Sequence, residues 1–239
     1  MGTEGAGAPP AGPQSPPSPP LDLDALVRRA HAAAGRSVGE LAKAHGYRVP
    51  TRLGQHKGFI GQLLEVVLGA DAGSESRPDF TGLGIELKTL PIRDTGVPTQ
   101  STFVCKATID GTDSFEFKDT ALWHKLSCVL FFPVQGEAAI PLIARRFGTP
   151  FLWRPEGAEA ARLEADWRAL TGRIRAGELE QITGHDGEVL QLRPKAMNAS
   201  ERSLGIGAEG WLVPMPPRGW YLRPQFTREL IARAFDLDI

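Results

Sequence analysis

Residues 82–90 (GLGIELKTL) alternate apolar and polar side chains, and only a β-strand sorts that period onto two faces. The alternation predicts a strand with Leu83, Ile85 and Leu87 on one face and Glu86 with Lys88 on the other. Elsewhere the period switches to that of a helix. Residues 22–34 read as a helix stopped by Gly35, and Ser37 with Glu40 fits a capping box ahead of a short helix ending near Gly46. Residues 58–69 place Ile60, Leu64, Val67 and Leu68 on one helical stripe, and residues 156–176 do the same with Leu163, Trp167, Leu170 and Ile174. Short apolar, β-branched or aromatic runs at 102–109 and 128–134 read as strands, as do 187–193, 210–214 and 218–222, with a last helix from Phe226 to Ala234. Residues 70–81, rich in Gly, Ser, Asp and Pro, read as a loop. Helices and strands interleaved in irregular order predict an α/β fold with a mixed sheet flanked by helices.

Composition narrows the function classes. The 239 residues include 27 Lys and Arg against 28 Asp and Glu, so the chain is no polycation, although a basic patch can still face an acidic one. No run approaches the roughly 18 apolar residues of a membrane span. Cys105 and Cys128 each sit in an apolar run, which predicts reduced thiols in a cytosolic protein. Residues 1–20 hold 7 of the 20 prolines and no Leu, Ile, Val or aromatic residue, so we expect a disordered tail there and one folded domain over 21–239.

The chemistry concentrates at Asp79, Glu86 and Lys88. Asp79 ends the loop before the strand and can fold back toward Glu86. Converging carboxylates make a hard oxygen-rich site of the kind Mg²⁺ prefers. A lysine beside it can orient water or steady charge on a phosphate. The spacing alone is equally that of the solvated face of an amphipathic strand. Glu65 falls on a helical face with Gly61, Gln62 and Gly69, and Lys57 just precedes that helix; each also fits an ordinary surface position.

Asp79, Glu86 and Lys88 match the D…ExK pattern of restriction-endonuclease-like nucleases. In order along the chain, Lys57-Gly58-Phe59-Ile60-Gly61, Leu64-Glu65, Asp79-Phe80, Gly84-Ile85-Glu86-Leu87-Lys88-Thr89 and Thr102-Phe103-Val104-Cys105 follow one member family. So do His124-Lys125-Leu126, Ile140-Pro141-Leu142, Arg145-Arg146, Arg193-Pro194-Lys195-Ala196 and Arg218-Gly219-Trp220-Tyr221-Leu222. From about residue 37 to about residue 235 the chain resembles the MutH family of DNA mismatch repair endonucleases.

That resemblance implies a monomeric, cytoplasmic, nucleoid-associated enzyme. It would nick the unmethylated strand of double-stranded DNA at hemimethylated GATC sites, with Mg²⁺, when stimulated by MutL after MutS finds a mismatch. It implies Asp79 and Glu86 as metal ligands, Lys88 as the catalytic lysine, Glu65 as a further active-site carboxylate, and Lys57 and Lys125 as lysines near the site. Arg193 and Lys195 correspond to a base-reading segment, Tyr221 to the aromatic beside the methylatable adenine, and Phe103 to another aromatic near the DNA. Two lobes would then flank a DNA cleft, with catalysis in the N-terminal lobe and reading in the C-terminal one. Trp220 and Arg223-Pro224 depart from the family pattern.

Charge fits that division: residues 193–233 carry seven basic and three acidic residues, whereas 156–188 carry four basic and eight acidic. A free-standing restriction endonuclease acting on a GATC-like site and a DNA-binding module without catalysis are the rival expectations. Gly205-x-Gly207-x-x-Gly210 lacks the strand-then-helix setting of a dinucleotide site. The five histidines show no metal-binding spacing. The five tryptophans read as core or interface anchors.

Overall fold

The computed structural model of the protein describes residues 17–51, 58–73, 77–195 and 200–237. Three helices lead: α1 (Leu23–Ala33), α2 (Val38–Ala44) and α3 (Phe59–Leu68). Asp22 caps α1 by accepting from the Ala25 N–H at 2.7 Å. The capping box of α2 is closed from both sides, Glu40 N donating to Ser37 Oγ at 3.1 Å and Ser37 N to Glu40 Oε2 at 2.6 Å. α3 lies between Gly58 and Gly69, both in the left-handed region at φ 99° and 81°.

After these come β1 (Glu86–Ile92), β2 (Thr102–Lys106), α4 (Ala121–Leu126), β3 (Val129–Gln135), β4 (Phe151–Trp153) and α5 (Gly157–Arg175). β5 (Leu190–Pro194), β6 (Ser203–Ile206), β7 (Leu212–Met215), β8 (Arg218–Leu222) and α6 (Pro224–Phe235) complete the chain. β1 runs parallel to β3, and β4 lies antiparallel on the other side of β3. β2, β8 and β5 form an antiparallel sheet in that order, and β6 with β7 is a separate hairpin. The fold is mixed α/β.

The central sheet separates two apolar clusters. Ile85, Leu87, Leu130, Phe132 and Val134 face α1, α2 and α3, while Leu90, Val129 and Phe131 face α4, α5, α6 and the β2–β8–β5 sheet. β3 is therefore buried on both faces, which is why its sequence is a continuous apolar run. Glu86 and Lys88 share the pleat side of Leu90, so they point toward the second cluster.

Several boundaries differ from expectation. β1 starts only at Glu86; residues 81–84 are a turn, with Phe80 bridged to Ile85 and Gly84 at φ 64°. Two glycines break the pleat that the alternation suggested, so Leu83 packs from the turn rather than from the strand. Residues 1–16 of the expected tail lie outside the described residues, but the fold begins before residue 21. Pro20 is buried, and the Ser18 carbonyl accepts from Arg29 Nη1 at 2.8 Å. This contact uses backbone, which a search for apolar side chains does not see. Of the tryptophans, Trp153, Trp167 and Trp220 are buried core anchors, whereas Trp211 is 74% exposed on the β6–β7 hairpin. The Gly205–Gly210 segment lies in that hairpin and leads to no helix.

Candidate functional site

The turn at 81–84 reverses the chain so that Asp79 comes back beside β1, where Asp79 Oδ2 accepts from the Leu87 N–H at 2.8 Å. Asp71 stakes the same loop: its carboxylate accepts from Thr81 N at 2.8 Å and Thr81 Oγ1 at 2.7 Å. The Asp71 and Ala72 N–H groups both donate to the Asp79 carbonyl. The fold-back expected of Asp79 is thus held by backbone on one side and by Asp71 on the other.

Glu86 is 1% exposed. Its Oε1 accepts from Lys88 Nζ at 2.5 Å and its Oε2 from Lys125 Nζ at 2.8 Å. Lys125 reaches it from α4 and also donates to the Arg77 carbonyl at 2.9 Å. A carboxylate this deep persists as an ion only where it is paired, so the Glu86–Lys88 spacing marks a buried ion cluster here and not a solvated strand face.

Glu65 enters from α3. Burial raises its carboxyl above the usual carboxylate range; the charges of Asp79 and Glu86 push the same way, and Lys88 and Lys125 oppose. Burial likewise raises Asp79, followed by the charge of Glu86, while the Leu87 N–H and the two lysines pull it down. Three carboxylates therefore share one region with two ammonium groups. Among the described residues no three Asp, Glu, His or Cys side chains are gathered into a ready-made metal cage. Lys57 lies outside the described residues.

β2 links this cluster to a second one. A bulge between Phe103 and Cys105 lets Phe103 pair with Tyr221 and Cys105 with Trp220. The thiol of Cys105 is pushed up to about 12 by burial, with the charges of Lys88, Lys125 and Glu86 also acting on it. Both cysteines are free, Cys128 buried and Cys105 half-buried.

Phe103 faces the other way, onto the outer face of the β2–β8–β5 sheet. Its ring meets Tyr221 edge-on at 5.3 Å between centroids. Lys195 Nζ stands 4.3 Å from the Phe103 centroid, and the Arg193 guanidinium 5.5 Å from that of Tyr221. The four residues expected to meet DNA form one cationic-aromatic row, while Leu190, Leu192, Trp220 and Leu222 cover the inner face of the same sheet. Gly219 leaves room for the row, since a Cβ there would stand 2.8 Å from Phe103 Cε2. Tyr221 is half-buried, and burial raises its hydroxyl above the usual phenol range against the opposing Arg193 charge.

The departures from the family pattern have structural roles. Trp220 is a core side chain, and Arg223 Nη1 donates to the Gly187 carbonyl at 2.7 Å and the His185 carbonyl at 3.1 Å. Sequence reasoning missed Asp71, Ser101 and Gln191, which support the site residues from behind; their signal lies in tertiary contact and not in spacing.

A family profile described as DNA mismatch repair enzyme MutH matches residues 68–166. The DNA mismatch repair protein MutH of Klebsiella pneumoniae is 47% identical over 221 residues, covering 92% of this chain and 96% of the relative. Those of Yersinia enterocolitica and Shewanella amazonensis are 46% and 44% identical over 220 residues, each covering 92% of this chain, with 96% and 98% of the relative.

Proposed function

The chain belongs to the MutH family of DNA mismatch repair enzymes, and on that premise we propose that it is an Mg²⁺-dependent endonuclease. It nicks the unmethylated strand of hemimethylated GATC sites, stimulated by MutL after MutS has found a mismatch. The observation that supports this reading is the convergence of Glu65, Asp79, Glu86, Lys88 and Lys125 from α3, the 70–81 loop, β1 and α4.

The donor chemistry fits a hard divalent cation: Asp79 and Glu86 offer carboxylate oxygens, and Glu65 lies near enough for both charges to act on it. Asp79 and Glu86 are the residues that would hold the ion. When bound there, Mg²⁺ would supply Lewis acidity beside the scissile phosphate. Lys88 steadies the charge that grows on the phosphate oxygens, and Lys125 holds Glu86 in orientation. Glu65 stands by as a further acidic group. In-line attack by water leaves a 5′ phosphate and a 3′ hydroxyl with no covalent intermediate. Reading falls to the row on the outer sheet face, where Arg193 and Lys195 meet guanine O6 and N7 in the major groove and Tyr221 approaches the adenine N6.

The test uses purified protein with matched unmethylated, hemimethylated and fully methylated duplexes, with and without Mg²⁺ and MutL. We expect Mg²⁺-dependent nicks confined to unmethylated strands, faster with MutL. Glu86→Ala should lose nicking by at least about 100-fold while still binding DNA, because the carboxylate holds the ion and not the duplex. Double-strand cleavage independent of MutL would instead mark a free-standing restriction endonuclease. Nicking by Glu86→Ala at the wild-type rate would remove Glu86 from the site.

A further inference from the structure

Gln191 is a polar residue only 7% exposed, and it stands directly opposite Tyr221 in the β5–β8 pairing. Burying a side-chain amide is costly unless both its ends are bonded, and here they are. The Gln191 amide nitrogen donates to the Gly184 carbonyl at 2.7 Å, and Gln191 Oε1 accepts from the Ser101 hydroxyl at 3.0 Å. Ser101 Oγ in turn accepts from Arg193 Nη1 at 3.2 Å. The row has one polarity, because a carbonyl only accepts and a guanidinium only donates. Exchanging the ends of the Gln191 amide would set its oxygen against the Gly184 carbonyl oxygen.

The last member of the row is the one that matters for recognition. A guanidinium is planar, with its five N–H donors in a fixed fork, so holding one nitrogen sets the direction of the others. Ser101 holds one nitrogen of Arg193 while the Tyr221 ring supports the same group from 5.5 Å. A bidentate contact to a guanine edge depends on such a direction. A loose arginine settles on phosphates as readily as on bases, and phosphate contacts carry no sequence information.

We infer that Ser101 and Gln191 are positioning residues: through one hydrogen-bonded row they fix the direction in which Arg193 presents its fork to a guanine. The inference rests on the nuclease reading above and deepens it. Base discrimination then depends on two side chains that act through Arg193 and not on the bases themselves.

The test compares nicking of a duplex carrying GATC with the same duplex in which 7-deazaguanine replaces that guanine, removing the N7 acceptor. In the wild-type protein the replacement should lower kcat/KM about tenfold, the size of one good base contact. In Ser101→Ala the penalty should shrink to within about threefold, because Arg193 no longer points at N7. Ser101→Thr keeps the hydroxyl and should restore the full penalty. A side chain that merely supports the fold would lower both substrates by one factor and leave the penalty unchanged in Ser101→Ala. That result, or a Ser101→Thr protein that fails to restore the penalty, overturns the inference while leaving the nuclease reading intact. A wild-type protein that nicks both duplexes equally overturns it too. A wild-type protein that nicks neither overturns both readings.

Discussion

Lys125 and Glu86, 39 residues apart in sequence, form a buried ion pair at 2.8 Å that joins α4 to the first residue of β1. The same ammonium donates to the Arg77 carbonyl and so ties the end of the 70–81 loop to the pair.

Removing this cation should therefore cost stability as well as activity. In Lys125→Met, Glu86 keeps Lys88, and the Arg77 carbonyl loses the Lys125 ammonium. Removing one partner of a buried ion pair costs up to about 3–5 kcal/mol, and Lys88 offsets part of that here. For a chain of this size that is a fall of roughly 2–4 °C in melting temperature per kcal/mol. A divalent cation restores positive charge at the same carboxylate, so the deficit should be smaller in Mg²⁺ than in EDTA. Melting curves in both buffers check this, and an identical deficit in the two would argue against an ion at Glu86.

Glu65 should show the opposite sign. Its carboxyl is raised by burial and by Asp79, so the ionised form is disfavoured in the fold. Glu65→Gln removes that cost, and we expect a higher melting temperature for the metal-free protein at neutral pH. Nicking should fall by about 10–100-fold, since the cation site at Asp79 and Glu86 loses a neighbouring carboxylate that supports it. Stability and activity measured on the same preparation decide it. A variant that melts lower than wild type would place Glu65 among residues that stabilise the fold.

How far the sequence reaches can be judged from these same residues. The alternation around Glu86 correctly placed it opposite Leu87, and the composition of 70–81 correctly marked a loop able to return Asp79. Neither could show that Glu86 is buried, because an alternating strand looks the same whether its polar face meets water or two lysines. α4 went unseen: its six residues span less than two turns, too short to display a period. Lys125 therefore entered only through the family resemblance. The charge contrast between 156–188 and 193–233 was legible, but much of it is internal pairing. Arg233 pairs with Glu159 and Arg162 with Glu188 and Glu229, so the outer sheet face rests on Arg193 and Lys195 more than on the summed charge.

Gly219 offers a test of that face that leaves the carboxylate cluster untouched. A methyl there would stand 2.8 Å from Phe103 Cε2 and 3.3 Å from Lys195 Cβ. The outer edge of the Phe103 ring must swing away, which disturbs its edge-on contact with Tyr221 and costs about 0.5–1.5 kcal/mol. We expect Gly219→Ala to fold with a modestly lower melting temperature and to bind DNA more weakly, raising KM with kcat nearly unchanged. Equal loss in kcat and no change in KM would place the damage at Glu86 and Lys88 instead.

The last prediction concerns methylation. The Tyr221 ring lies between Phe103 and the Arg193 guanidinium, half-buried on the outer sheet face and opposite Gln191. Held on both sides, it has little freedom to retreat from a group pressed against it. If adenine N6 packs there, an added methyl loses the contact or displaces the ring, a cost of about 1–3 kcal/mol at one base pair. Tyr221→Ser removes the obstacle and leaves Asp79, Glu86 and Lys88 in place. Nicking of unmethylated DNA should stay within roughly tenfold of wild type, while the gap between unmethylated and methylated strands narrows by a similar factor. Measuring the two strands of one hemimethylated duplex separately isolates the effect, because both strands meet the same enzyme, salt and metal. A folded Tyr221→Ser protein with an unchanged strand ratio rules Tyr221 out as the sensor. A loss common to both strands assigns the ring to support of Phe103 and Arg193.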